Sequence, residues 1–198
     1  MKFNGYRPLV LFSFVLFVVF AACIGPKPST DHDKPVHRIR PRIEIPALEK
    51  QIHRLINRER KRQGLAPLAW DDRLAAIARG HSRDMATKDY FSHYSKEGHD
   101  FSFRYNQAGY TCSVRSEDKL YLGAENILQN NLYDSVTTVD GKRFYDWNSQ
   151  EKIAETTVQG WMNSRGHRQN IMTPHWRREG IGVIIAPDDK VYITQNFC

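Results

Sequence analysis

Gly180-Ile181-Gly182-Val183-Ile184-Ile185-Ala186-Pro187-Asp188-Asp189-Lys190-Val191-Tyr192-Ile193-Thr194-Gln195-Asn196-Phe197 contains two strands and the turn that joins them. Ile181, Val183 and Ile185 alternate along Gly180 to Ala186, the period of a strand. Pro187-Asp188-Asp189-Lys190 is a turn, and Val191 to Phe197 returns as the partner strand. Working back from this pair, Val136 to Tyr145 reads as a second hairpin about Asp140-Gly141, a strong two-residue turn signal. Leu120 to Leu128 reads as one further strand. The remaining elements read as helices. Pro46 to Gln63 spaces Leu48, Ile52, Leu55 and Ile56 helically, with Pro46 at its start and Gly64 at its end. Asp71 to Thr87, capped by Asp71 or Asp72, has an apolar stripe of Leu74, Ala78, His81 and Met85. Phe101 to Ala108 is a short helix stopped by Gly109. Asn148 to Met162 buries Ala154, Val158 and Trp161, with Asn148 and Glu151 as its expected capping box. Ser164 is the expected cap of a last short helix that ends before Pro174. Helices mostly first, with antiparallel strands among and after them, make an α+β sandwich rather than a doubly wound sheet.

The N-terminus is of another kind. Lys2 and Arg7 precede an uncharged apolar run, Leu9 to Ile24, of 16 residues. That is short for a membrane span, which needs about 20. Residues 1–25 therefore read as an export signal or an N-terminal anchor. Phe20-Ala21-Ala22-Cys23 resembles a lipoprotein box with Cys23 as the lipidated residue. Simple cleavage near Gly25 and an uncleaved anchor are the alternatives. Each places the remainder outside the cytoplasm. Residues 26–46, with Pro26, Pro28, Pro35, Pro41 and Pro46, read as an extended linker. Asp31-His32-Asp33 and His37 in it read as a solvated tether rather than a metal site. Residues 47–198 are then one domain.

The formal net charge is +7, of which Lys2 and Arg7 supply two. The excess is scattered, apart from a dense group at Arg58, Arg60, Lys61 and Arg62. It reads as a solvated helix face, with contact to acidic lipid or wall polymer as the alternative. No nucleic-acid motif accompanies it.

Three phrases hold the candidate site: Phe91-Ser92-His93, Gly123-Ala124-Glu125-Asn126-Ile127 and Ser164-Arg165-Gly166-His167-Arg168. Two imidazoles and a carboxylate, brought together, hold a metal, a proton or a polar ligand. His81 lies on the apolar stripe of its helix and reads as a hydrogen-bonded core histidine. Four further phrases keep order with the three: Pro67-Leu68-Ala69-Trp70, His81-Ser82-Arg83-Asp84-Met85, Ala108-Gly109-Tyr110 and Thr194-Gln195-Asn196-Phe197. Together they resemble the CAP superfamily of cysteine-rich secretory proteins, venom antigens and plant pathogenesis-related proteins, in its compact prokaryotic, SCP-like branch. The resemblance covers about residues 48–198.

That resemblance implies a three-layer α-β-α sandwich with a mainly antiparallel central sheet. It also implies a central cleft lined by two histidines and two acids. His93 and His167 match the histidines and Glu125 one acid. The second acid's place is taken by Ser164, expected at the cleft edge, with Glu155 upstream as a substitute. His93, Glu125 and His167 with an open fourth position suit Zn²⁺; a metal-free, hydrogen-bonded cleft is the alternative. Ser92 and Ser164 each lie near a histidine, yet no Gly-x-Ser-x-Gly elbow exists. A non-enzymatic binding module for a lipid, wall-derived or peptide ligand thus ranks above a metal-dependent hydrolase or peptidase. Once Cys23 is assigned to the signal region, Cys112 and Cys198 remain. An exported chain is expected to pair them, two separate thiols being the alternative.

Overall fold

The computed structural model describes residues 39–116 and 118–198. The apolar run Leu9 to Ile24, Cys23 and the linker as far as residue 38 lie outside them. Among the described residues no helix is long and apolar enough to cross a membrane.

The elements in chain order are α1 (Ile45–Arg62), β1 (Ala69–Trp70), α2 (Asp72–Lys88), α3 (Phe101–Gln107), β2 (Val114–Ser116) and β3 (Lys119–Tyr121). There follow β4 (Ala124–Asn131), β5 (Tyr133–Val139), β6 (Lys142–Trp147), α4 (Gln150–Asn163), α5 (Arg165–Met172), β7 (Arg178–Ile185) and β8 (Lys190–Phe197). The central sheet runs β1-β7-β8-β4. The β7–β8 hairpin and the β8–β4 pair are antiparallel, and only the two-residue β1 is parallel to its neighbour. The middle layer is therefore mainly antiparallel, with β4 at its edge. Helices α1, α4 and α5 cover one face and α2 the other, with α3 beyond α2. The fold is an α-β-α sandwich.

Strand alternation sorts the two cores. Ile181, Val183, Val191, Ile193 and Phe197 point to the face where Leu48, Ile52 and Ile56 of α1 meet Ile153, Val158 and Trp161 of α4. Each such aliphatic side chain contributes about 1.5–3 kcal/mol on burial. Tyr192 and Ile127 point to the other face, against Met85 of α2. There α2 lies almost on the backbone of β7. A Cβ on Gly180 would fall into the backbone of Leu74 and Ala75, and one on Gly182 into that of Ala78 and Arg79. Ser82 completes the contact, donating to the Gly182 carbonyl at 2.9 Å and sharing a hydrogen bond with Thr194 Oγ1 at 2.8 Å.

The caps follow the sequence in part. Asp71 caps α2, accepting from Arg73 N and Leu74 N. The cap of α4 is Ser149, whose hydroxyl accepts from Lys152 N. Asn148, the expected cap, instead donates to the Asn131 carbonyl and closes the end of the β5–β6 hairpin. Ser164 stands at the N-cap of α5 but makes no side-chain capping bond. The single strand expected over Leu120 to Leu128 is two, β3 and β4. Gly123 interrupts it at φ 117°, where a Cβ would meet Tyr105 Cε2 at 2.7 Å. The hairpin about Asp140-Gly141 forms as expected, with φ of 49° and 75° at its corner.

The basic group at the end of α1 is not a uniform surface. Arg60 is fully buried and ties three carbonyls together: Ala66, Ile171 and Thr173. Only Arg58, Lys61 and Arg62 of the group are exposed. Before α1, Ile43 packs against the core and Arg40 pairs with Asp189 at 2.7 Å. Cys112 and Cys198 form a disulfide with Cα atoms 5.5 Å apart. It ties the last residue of the chain to the segment that follows α3.

Candidate functional site

Glu125 is the pivot. It faces the α2 side of β4, where its side chain is only 1% exposed. A carboxylate so placed needs partners, because an unpaired buried charge is costly. Arg104 of α3 supplies the first, Nη2 to Oε2 at 2.7 Å. His93 supplies the second, Nδ1 to Oε1 at 3.0 Å. His81 Nε2 stands 3.8 Å from the same oxygen. The sequence reading missed Arg104. Its only signal is position: one turn after the Asp100 cap, on a helix whose Tyr105 is buried.

The loop after α2 is held in place largely by these same residues. His81, on the buried stripe of α2, donates Nε2–H to the Ser92 carbonyl at 3.0 Å. Burial pushes its pKa down, more than Glu125 raises it. Arg104 donates to the carbonyls of His93 and His99 at 3.1 and 3.0 Å. One guanidinium thus fixes both the His93 backbone and the carboxylate that orients its ring. With Nδ1–H given to Glu125, the neutral ring keeps its Nε2 lone pair for a ligand. The His93 side chain is 45% exposed.

His167 comes from the other side of the β4 edge, on α5. Its carbonyl accepts from Asn126 Nδ2 at 3.2 Å. Asn126 also donates to Gln195 Oε1 at 3.0 Å. Asn170, one turn along α5, donates to the Glu125 carbonyl at 3.2 Å and to Asn126 Oδ1 at 2.8 Å. Trp161 Nε1 donates to the Ile127 carbonyl at 3.1 Å. Asn170 and Trp161 thereby occupy carbonyls at the outer edge of β4. Three phrases separate in the sequence are one hydrogen-bonded unit around Asn126, and that unit sets where His167 stands.

A cleft of about 590 Å³ lies between the two histidines. His93, His167 and Ser164 line it, with Phe91, Tyr94, Ile127 and Leu128 as its apolar part. Burial, and then the neighbouring His93, hold the His167 pKa below its ordinary value. The expected residues therefore meet, with one difference. Glu125 does not line the cleft; it sits behind His93. Glu155 is elsewhere, in a separate cavity with Arg58 and Glu59.

This donor set does not fit zinc. Both carboxylate oxygens of Glu125 are engaged, and a guanidinium 2.7 Å away already neutralises its charge. Among the residues that line the cleft, His93 Nε2 and His167 are the imidazole donors left, one short of the three protein ligands of a zinc site. Among the described residues no three His, Cys, Asp or Glu side chains form a group able to hold a metal ion. Nor, among the described residues, does a serine hydroxyl stand within hydrogen-bond reach of either cleft histidine. Ser92 Oγ instead accepts from Tyr94 N at 3.1 Å.

The model of the CAP family, described as the cysteine-rich secretory protein family, matches residues 53–197. The chain belongs to this family. Among its relatives, the Bacillus subtilis membrane protein YlbC is 34% identical over 149 residues, covering 75% of this chain and 34% of YlbC. YkwD of the same organism is 31% identical over 147 residues, covering 71% of this chain and 44% of YkwD. The chain thus spans less than half the length of these relatives. Among solved structures, an extracellular SCP-domain protein of Bacillus anthracis superposes with a TM-score of 0.55 at 29% identity, over 77% of this chain and 40% of that one. An outer surface protein of Borrelia burgdorferi superposes with a TM-score of 0.57 over 80% of this chain and 97% of its own, at 16% identity. This second likeness is one of fold alone. In this CAP domain the cleft is built by the family's phrases, with Ser164 where the resemblance leads one to look for a second acid.

Proposed function

We propose that this CAP domain acts outside the cytoplasm as a binding module, tethered by its N-terminal segment through Cys23 or the apolar run. The extracellular character of the Bacillus anthracis relative supports the location. The cleft between His93 and His167 is the binding site. One observation carries this reading: two imidazoles line one cavity with an apolar bed, while the carboxylate behind His93 is outside the cavity lining and neutralised by Arg104. Such a surface suits a ligand with an apolar body and a few hydroxyl or amide donors, held rather than transformed. Lipid, wall-derived and peptide ligands share that chemistry. Native mass spectrometry of the full chain, extracted from its source membranes, is expected to show a co-purifying ligand. His93→Leu with His167→Leu should release it, and an unchanged ligand load in that variant would remove the cleft as its site.

The 3.0 Å bond between His93 and Glu125 favours a second reading, hydrolysis. In it His93, oriented by Glu125, takes a proton from water at Nε2 as the water attacks a bound carbonyl. Turnover of a casein-like substrate that disappears in Glu125→Gln would select this reading over binding alone.

A further inference from the structure

The cations at the end of α1 and those at the start of α5 play no part in the cleft. The fold brings them to one place. Arg165 and Arg168 line a cavity of about 740 Å³ together with Gln63, Leu65, Met162 and Met172. Arg62 and Lys61 directly precede Gln63 in the chain and are exposed. Among the described residues no acidic side chain lines the cavity. The nearest in sequence, Glu59, is taken by Arg62 at 2.6 Å. Arg168 gives one nitrogen to the Met162 carbonyl at 3.0 Å and keeps the rest of its fork. The Arg165 side chain makes no hydrogen bond or ion pair among the described residues.

Two guanidinium groups three positions apart on a helix share a face and repel one another. An anion between them removes that repulsion. The planar fork of arginine matches a phosphate in bidentate fashion. The methionine and leucine side chains at the wall lower the local dielectric, which strengthens the pairing. The volume lies within the range of sites for discrete ligands, about 300–1,000 Å³. A membrane face is disfavoured. The large apolar side chains that the described residues expose, such as Phe91, Leu120 and Leu122, do not line this cavity.

We propose that this cavity binds a water-soluble phosphodiester polymer. Arg165 and Arg168 are its bidentate anchors, Lys61 and Arg62 draw in flanking phosphates, and Gln63 supplies an amide for the hydroxyls between them. The site is separate from the cleft, since α5 places His167 on one side and these arginines on the other. It does not depend on how the cleft is read.

The test is calorimetric titration of the full chain, in detergent, with a synthetic glycerol-phosphate hexamer. Saturable binding that weakens with added salt is expected. Arg165→Gln with Arg168→Gln should weaken it by about tenfold or more, the size of a lost charge-assisted contact. Arg165→Gln alone removes no internal bond, leaves the fold in place and should weaken binding by a smaller factor. No saturable binding, or binding indifferent to both variants, overturns the proposal. Inorganic phosphate binding as tightly as the hexamer overturns it too, by reducing the site to one for a lone ion. Binding to phosphatidylglycerol vesicles but not to the hexamer assigns the surface to a membrane and likewise refutes the polymer.

Discussion

Arg104 decides what kind of site this is. Without it, Glu125 would be a carboxylate at 1% exposure between two histidines, a ready metal ligand. With it, the negative charge is spent before a ligand arrives. The guanidinium is itself only 14% exposed, so the pair is largely shielded from solvent. Removing one partner of such a pair leaves the other charge buried and costs about 3–5 kcal/mol. Arg104→Met is expected to lower the unfolding free energy by about 3 kcal/mol, read from the urea midpoint. Adding Glu125→Gln should return much of the loss, because the orphaned charge goes with it. If Arg104→Met alone were neutral, Arg104 would not be the group that satisfies Glu125. Sequence reading placed His93, Glu125 and His167 in one region because each sits in a recognisable phrase. It did not place Arg104, which belongs to no such phrase. A one-dimensional reading finds residues that chemistry marks. It does not find the partner that a neighbouring helix delivers.

The same division appears among the elements. The β7–β8 hairpin was legible because alternation and the Pro187–Lys190 turn are local signals, and the observed register follows them. Helix α2 was legible from its stripe, and Asp71 from its place before the first turn. The break at Gly123 was not, because it answers to Tyr105 and Phe197, which are distant in the chain. Nor was the role of Gly180 and Gly182, which in a strand pattern look like weak points. Their function is to let α2 approach the sheet and carry His81 within reach of the Ser92 carbonyl. Gly182→Ala would drive a methyl group into the backbone of Ala78 and Arg79. Backbone cannot swing aside as a side chain does, so the helix must lift. A cost of about 3 kcal/mol is expected, at the upper end of overpacking effects. It should be accompanied by loss of hydrogen-exchange protection along α2. A full-stability variant with α2 amides as protected as before would show that the helix is not seated by these glycines.

At the scale of the whole molecule, the groups that position the cleft also set its response to acid. The His81 and His167 pKa values both lie below the ordinary 6.5, each chiefly because burial disfavours the charged form. The folded chain therefore holds fewer protons on these rings than the unfolded chain does. Stability rises with pH wherever the unfolded state binds more protons. It should be flat above about pH 7, fall as the pH drops below 6.5, and level off once the folded rings also protonate. A second loss belongs to Asp71, Asp84 and Asp100. Although burial opposes ionisation at Asp71 and Asp84, hydrogen bonds hold all three carboxyls below 3.8, so their contribution is present at neutral pH and lost below about pH 4. The first step is the informative one, because His81 braces the His93 loop and His167 lines the cleft. Urea unfolding between pH 8 and pH 3 should show both steps, and His81→Gln should shrink the first while leaving the lower one in place. A profile flat down to pH 5 would mean that neither ring is held neutral by the fold. In that case the cleft would be cationic in mild acid, and its ligand would need a negative charge rather than hydroxyl or amide donors.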